Sequence, residues 1–177
     1  LDRSWQCSTI QVDFHNPTQF KLEYIAEDGK AHQPVMVHRA LLGSLERFFG
    51  VLVEHYAGAF PLWLAPVQAV VIPVSEKQQA YGREVGEALR KLGVRVEVDD
   101  RNEKLGYRIR EAQVQKVPYM LVVGDKEVEA KSVSVRHRQA GDLGPQDVAS
   151  FGARVLRLSA ERATREEAPA PSAGGVQ

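Results

Sequence analysis

Arg47 has a planar guanidinium, which can both stack on a nucleobase and pair with phosphate oxygens, and which on an amphipathic helix equally suits solvent. It lies in Gly43-Ser44-Leu45-Glu46-Arg47, directly after a strand-like run. The three-to-four-residue spacing of Gly43, Ser44 and Arg47 predicts that they share one helical face. Gln6, Thr9 and Gln11 form a second group. Thr9 and Gln11 stand two residues apart on a predicted strand and so share a face. Polar side chains there suit a small polar ligand, and they equally suit solvent. His38 ends another predicted strand, where it fits either a metal ion or a structural hydrogen bond. Cys7 is the only cysteine, which excludes an internal disulfide, fits a reducing compartment and reads as a small buried residue.

The third group is basic. Across the whole chain 23 Lys and Arg balance 23 Asp and Glu, so net charge points to no partner. Over 101–140, however, nine Lys or Arg stand against five Asp or Glu. Arg101, Lys104, Arg108, Arg110, Lys116, Arg136 and Arg138 are the candidates for holding a phosphate backbone, with a solvated face as the alternative. Single-stranded bases also need hydrogen-bonding groups at their edges. A carboxylate can serve there, since it repels phosphate but accepts from base amino and imino groups.

The elements that must position these groups read as two blocks. Thr9–Phe14, Phe20–Ile25 and Pro34–His38 have strand character, with a turn at Glu27-Asp28-Gly29-Lys30. From Gly43 the apolar period lengthens, and Leu45, Phe49, Leu52 and Tyr56 predict an amphipathic helix stopped at Gly58. Residues 1–60 therefore read as three antiparallel strands running into one helix. Pro61 and Pro66 mark a boundary. Beyond it strands at 69–74, 94–98 and 118–123 alternate with helices at 78–92 and 104–115, the pattern of a mixed sheet covered by helices. A turn at 124–129, an edge-type strand at 132–136 and a last helix over 146–158, with Pro145 in its first turn, complete the block. The tail 162–177, RATREEAPAPSAGGVQ, is too poor in apolar residues to order itself and predicts disorder. With 44% hydrophobic and 26% charged residues the chain has a globular composition. It has no apolar run long enough to span a bilayer and no secretory signal pattern.

Trp5–Phe14, WQCSTIQVDF, resembles the strand that lines the amino-acid pocket of the threonyl-tRNA synthetases. PVMVHRALLGSLERFFGVLVEHYAGAFPLWLAPVQ, over Pro34–Gln68, resembles the third signature motif of class II synthetases in its threonyl form. DRNEKLGYRIREAQVQKVPYMLVVGDKEVE, over Asp100–Glu129, is similar to that family's anticodon-binding domain. The resemblance implies an α/β chain: the C-terminal part of a class II antiparallel-sheet catalytic domain over 1–65, then an anticodon-binding domain with a mixed five-stranded sheet over 66–160. It implies a threonine–tRNA ligase, a cytoplasmic homodimer that uses ATP, Mg2+ and Zn2+ to activate threonine and load it on threonine tRNA, with no membrane partner. Arg47 is then the catalytic arginine on ATP. Gln6 and Thr9 face the adenylate, Gln6, Thr9, Gln11 and Ser44 face threonine, and His38 is a zinc ligand. Asn102, Arg110, Lys116, Glu127 and Arg136 match positions that touch the anticodon loop. The family's earlier motifs, its remaining zinc ligands and any editing domain are not among these residues. With Leu1 opening the sequence, the expectation is a fragment inactive by itself. The rival readings are a non-catalytic anticodon-binding module and a class II-like accessory subunit.

Overall fold

The computed structural model describes residues 4–164 and divides into two compact units, Leu1–His55 and Tyr56–Gln177. The expectation for the tail beyond Thr164 lies outside the described residues.

In the first unit β1 (Thr9–Asp13) leads into a short helix, α1 (His15–Gln19). Two-residue strands β2 (Tyr24–Ile25) and β3 (Ala31–His32) follow, then β4 (Met36–Ala40) and helix α2 (Leu45–Tyr56). β1 pairs antiparallel with β4, and β2 with β3. The expected strand at 20–25 is thus reduced to its last two residues. Asp13 explains part of this, because its Oδ1 accepts from the backbone N–H of His15 and Asn16 and turns the chain into α1. Lys21 then takes a positive φ of 52°, which breaks the strand geometry that the alternation suggested. Gly43 also differs from expectation. It is not helical but left-handed, with φ 65°, and α2 begins two residues later.

The second unit is built on β5 (Ala69–Pro73), whose five residues are all buried. A 3-10 turn (Glu76–Gln78) opens helix α3 (Gln79–Lys91), followed by β6 (Val96–Val98), α4 (Leu105–Val114), β7 (Tyr119–Val123) and α5 (Asp125–Ala130). The chain closes with β8 (Ser132–His137), β9 (Gly141–Asp147) and α6 (Val148–Ala160). The five strands run in the order β6-β5-β7-β8-β9, with β5 parallel to both neighbours and the other pairs antiparallel. This is the mixed five-stranded sheet that the sequence implied. Both faces of β5 and β7 are buried, as a central strand flanked by helices requires. Ala69, Val71, Leu121 and Val135 pack with Val85 and Leu89 of α3 and with Phe151 and Val155 of α6. Val70, Ile72 and Met120 pack on the opposite face with Ile109 and Ala112 of α4. Gly86 lets α3 lie close to the sheet, because a Cβ there would stand 2.6 Å from Val98 Cγ2.

Three local expectations change. The segment at 124–129 is a helix rather than a turn: Gly124 N–H donates to Glu127 Oε2 at 2.9 Å and caps it. β8 is an interior strand, because β9 covers its far side. Pro145 lies in that outer strand opposite Ser134, where a missing N–H is tolerated, and Asp147 caps α6 by accepting from Ser150 N–H.

Candidate functional site

The first unit presents its polar groups on the β1–β4 ribbon and the start of α2. Register places Gln11 opposite His38, Thr9 opposite Ala40 and Asp13 opposite Met36, so these residues share one face. On that face His38 Nε2 lies 3.0 Å from Asp13 Oδ2. The backbone N–H of Asn16, followed by His38, holds the Asp13 carboxyl below its ordinary range. Gln11, Asp13 and His38 line a shallow groove with Phe14 and His15. Arg47 and Ser44 stand at the start of α2, where Arg47 N–H donates to Ser44 Oγ at 3.1 Å. Ser44 therefore caps the helix and directs its first turn, leaving the Arg47 side chain exposed. The turn before it passes the N-terminal segment closely, since a Cβ on Gly43 would lie 3.9 Å from the Gln6 carbonyl oxygen. Cys7 is half-buried rather than buried.

Among the described residues no group of three or more His, Cys, Asp or Glu side chains is placed to hold a metal. Asp13 beside His38 would fix the orientation of a ligating imidazole. Two donors do not make a zinc site, however, so the residues present do not fit the ion by themselves.

In the second unit the loops after β5, β6 and β7 lie at one edge of the sheet, the C-terminal edge of its three parallel strands. Asn102 follows β6 and Glu127 follows β7, so both occupy this edge. A cavity of about 360 Å³ opens there, lined by Val74, Ser75, Lys77, Gln79, Asn102 and Arg108 among others. Gln78 ties two of the loops together, accepting from Ser75 N–H and donating to Asp125 Oδ1. Arg110 is exposed on α4, and Lys116, at φ 62°, closes that helix toward the opposite edge. Arg136 lies on β8 opposite Met120, also toward that second edge and on the face that α4 covers in part. The five anticodon candidates are therefore spread over both edges of the sheet and α4 rather than gathered in one pocket.

The structure also thins the basic face. Arg108 is buried, with Nη1 donating to the Asp99 carbonyl at 2.9 Å and Nη2 to Pro73 and Val74 carbonyls at 2.6 and 3.3 Å. Arg138 donates to the carbonyls of Lys116, Ala59 and Phe60. Arg101 is clasped by Asp99 through two bonds of 2.9 and 2.8 Å and by Glu111 at 2.7 Å. Arg108 and Arg138 spend their guanidinia on backbone carbonyls, and Arg101 is paired with two carboxylates. The clasp by Arg101 is the leading cause that holds the Asp99 carboxyl below its ordinary range. The Arg108 role was readable: Leu105, Arg108, Ile109 and Ala112 follow the 3.6-residue period that marks the buried stripe of α4.

Residues 68–158 match the family described as anticodon binding domain, and residues 1–56 match the tRNA synthetase class II core domain of the G, H, P, S and T enzymes. Threonine–tRNA ligase of Caldanaerobacter subterraneus subsp. tengcongensis is 57% identical over 92% of this chain and 25% of its own length. That of Carboxydothermus hydrogenoformans is 60% identical over 85% of this chain and 24% of its own. The chain thus spans about a quarter of the length of the curated relatives it matches. A crystal structure of the RNA binding domain of threonyl-tRNA synthetase from Cryptosporidium parvum Iowa II covers 88% of this chain and 40% of its own, at TM-score 0.79 and 36% identity. Fold and family matches together define the class, the class II aminoacyl-tRNA synthetases. Within it, the chain belongs to the threonyl-tRNA synthetase family.

Proposed function

We propose that this chain supplies the ATP-contacting arginine and the anticodon-reading domain of a cytoplasmic, homodimeric threonine–tRNA ligase. The reaction joins threonine to ATP as threonyl-adenylate with release of pyrophosphate, then passes the threonyl group to the terminal ribose of threonine tRNA. Arg47 would lie on the adenine and offset phosphate charge, a task its exposed position on the first turn of α2 permits. Gln6, Thr9, Gln11 and Ser44 would hold threonine and the adenylate. Catalysis by these residues is positioning and charge stabilisation, with no covalent enzyme intermediate. When bound, magnesium would offset further phosphate charge and zinc would ligate the threonine hydroxyl, rejecting the isosteric valine. His38 would be one ligand of that zinc, and the others must come from residues other than those described. The anticodon-reading part occupies 66–160, with Asn102, Arg110, Lys116, Glu127 and Arg136 as its contacts. The observation that supports this half is that Asn102, in the loop after β6, and Glu127, in the first turn of α5 after β7, both lie at the C-terminal edge of the two strands flanking β5.

Fluorescence anisotropy with a threonine-tRNA anticodon stem-loop and the same hairpin with a scrambled anticodon tests it. Tighter binding to the threonine hairpin is expected. Equal, salt-sensitive binding to both would mean the surface holds only phosphates, and the base-reading assignments would fall. Threonine-dependent ATP–pyrophosphate exchange by the chain alone is expected to be absent.

A further inference from the structure

The geometry points to Arg101 as a positioning residue for Asn102, one that sets anticodon preference without touching RNA phosphate; this deepens the anticodon reading above and rests on it. Asn102 is exposed in the loop between β6 and α4, a setting in which a side chain ordinarily loses much of its binding energy to disorder. Its neighbour restrains the backbone on both sides of it. The Arg101 guanidinium spans from Asp99, at the end of β6, to Glu111, two turns into α4, with Nε–Oδ1 2.9 Å, Nη2–Oδ2 2.8 Å and Nη2–Oε2 2.7 Å. Its own N–H donates to Asp99 Oδ1 at 3.2 Å, and its carbonyl accepts from Glu103 N–H at 2.9 Å. Asn102 is therefore bracketed by residues that are both bonded to Arg101.

The clasp is anchored from beneath. Asp99 gives its carbonyl to buried Arg108, which also holds the Pro73 and Val74 carbonyls at the end of β5. Its side chain is only 10% exposed, against 50% for Arg101. A bidentate guanidinium–carboxylate pair fixes orientation as well as distance. With two carboxylates on one guanidinium, the positive charge is locally more than balanced, so Arg101 offers phosphate little attraction. Arg101, Glu103 and Arg108 border the cavity of about 360 Å³ that Asn102 also lines.

The test compares Arg101→Ala, Glu111→Gln, Asn102→Ala and the double variant Arg101→Ala/Asn102→Ala in the full 177-residue chain. Each is titrated with the threonine hairpin and the scrambled hairpin at several salt concentrations, with circular dichroism to check the fold. Arg101→Ala is expected to lower the preference by about tenfold with the salt slope unchanged. It should add nothing in the Asn102→Ala background, since it acts through that residue. Glu111→Gln opens only one end of the clasp and should lower the preference in the same direction. A phosphate-binding Arg101 gives the opposite signs: Arg101→Ala weakens both hairpins with a shallower slope, and Glu111→Gln, by freeing the guanidinium, tightens both. Either that pattern or full preference retained by Arg101→Ala overturns the positioning role while leaving the anticodon reading intact. If the unmodified chain shows no preference, both fall together.

Discussion

Replacing Glu127 by glutamine and by alanine separates the carboxylate's part in the fold from its assigned part in reading the anticodon. In the structure Glu127 is half-buried, and its Oε2 accepts the Gly124 N–H at 2.9 Å, so its side chain ties down the N-terminal turn of the six-residue helix α5. Alanine removes that acceptor and orphans the amide, which costs about 1 kcal/mol. Glutamine keeps an acceptor at the same position and can take the same N–H. It removes the negative charge, however, and with it the charge-assisted bonds to base N–H groups. Such a contact is worth about 1–3 kcal/mol of discrimination, or roughly 5- to 150-fold in relative affinity. Urea titration followed by circular dichroism should show Glu127→Gln near the parent midpoint and Glu127→Ala below it at unchanged slope. Anisotropy should show both variants losing preference for the threonine hairpin, glutamine by about fivefold or more. If Glu127→Gln keeps the full preference and only Glu127→Ala loses it, Glu127 is a helix cap and the base contact is wrong.

Three further outcomes follow from the geometry. Arg108→Gln and Arg138→Gln should leave the salt dependence of hairpin binding unchanged, because their guanidinia are spent on carbonyls, whereas Lys104→Ala or Arg110→Ala should each reduce the log–log slope by about 0.7. Asp99 is held below its ordinary pKa chiefly by Arg101, so its contribution to stability is present above the unfolded-state value and lost as pH falls through the folded one. Asp99→Asn should therefore be less stable than the parent near pH ~7, with the urea midpoints converging below pH ~4. Gly86→Ala must displace Val98, whose Cγ2 would be 2.6 Å from the new Cβ, and should cost about 1–3 kcal/mol by thermal unfolding even though alanine favours helix.

What the sequence disclosed, and what it did not, follows from how each element is stabilised. β5 and β7 are apolar runs buried on both faces, and α3 has a strong amphipathic period ending at Gly93, so side-chain pattern alone exposes them. β9, with the sequence GDLGPQD, has no such pattern; it is a strand because its backbone pairs with β8, which only the assembled sheet reveals. α1 and α5 are short helices set by Asp13 and Glu127 side chains on backbone amides, signals that look the same as polar turn chemistry in a sequence. The residue types of the candidate sites were legible, and so was their family context. Their partition into RNA-facing and fold-bearing arginines was legible only for Arg108, on the buried stripe of α4; Arg101 and Arg138 carry the same charge as Arg110 and differ only in what surrounds them.

Arg138 bears on where a gene should be cut. Similarity to the anticodon-binding family opens at residue 68, yet the Arg138 guanidinium holds the carbonyls of Ala59 and Phe60. Arg95 likewise holds those of Leu62, Trp63 and Ala65, and the Leu62 side chain is fully buried in the core. An expression clone trimmed to the region of similarity would remove all three of these side-chain acceptors of Arg95 and open a hole where Leu62 sat; of the Ala59, Phe60 and Lys116 carbonyls it would leave Arg138 only the last. The inherited module is shorter than the object that folds, and a clone opening at Tyr56 respects the second.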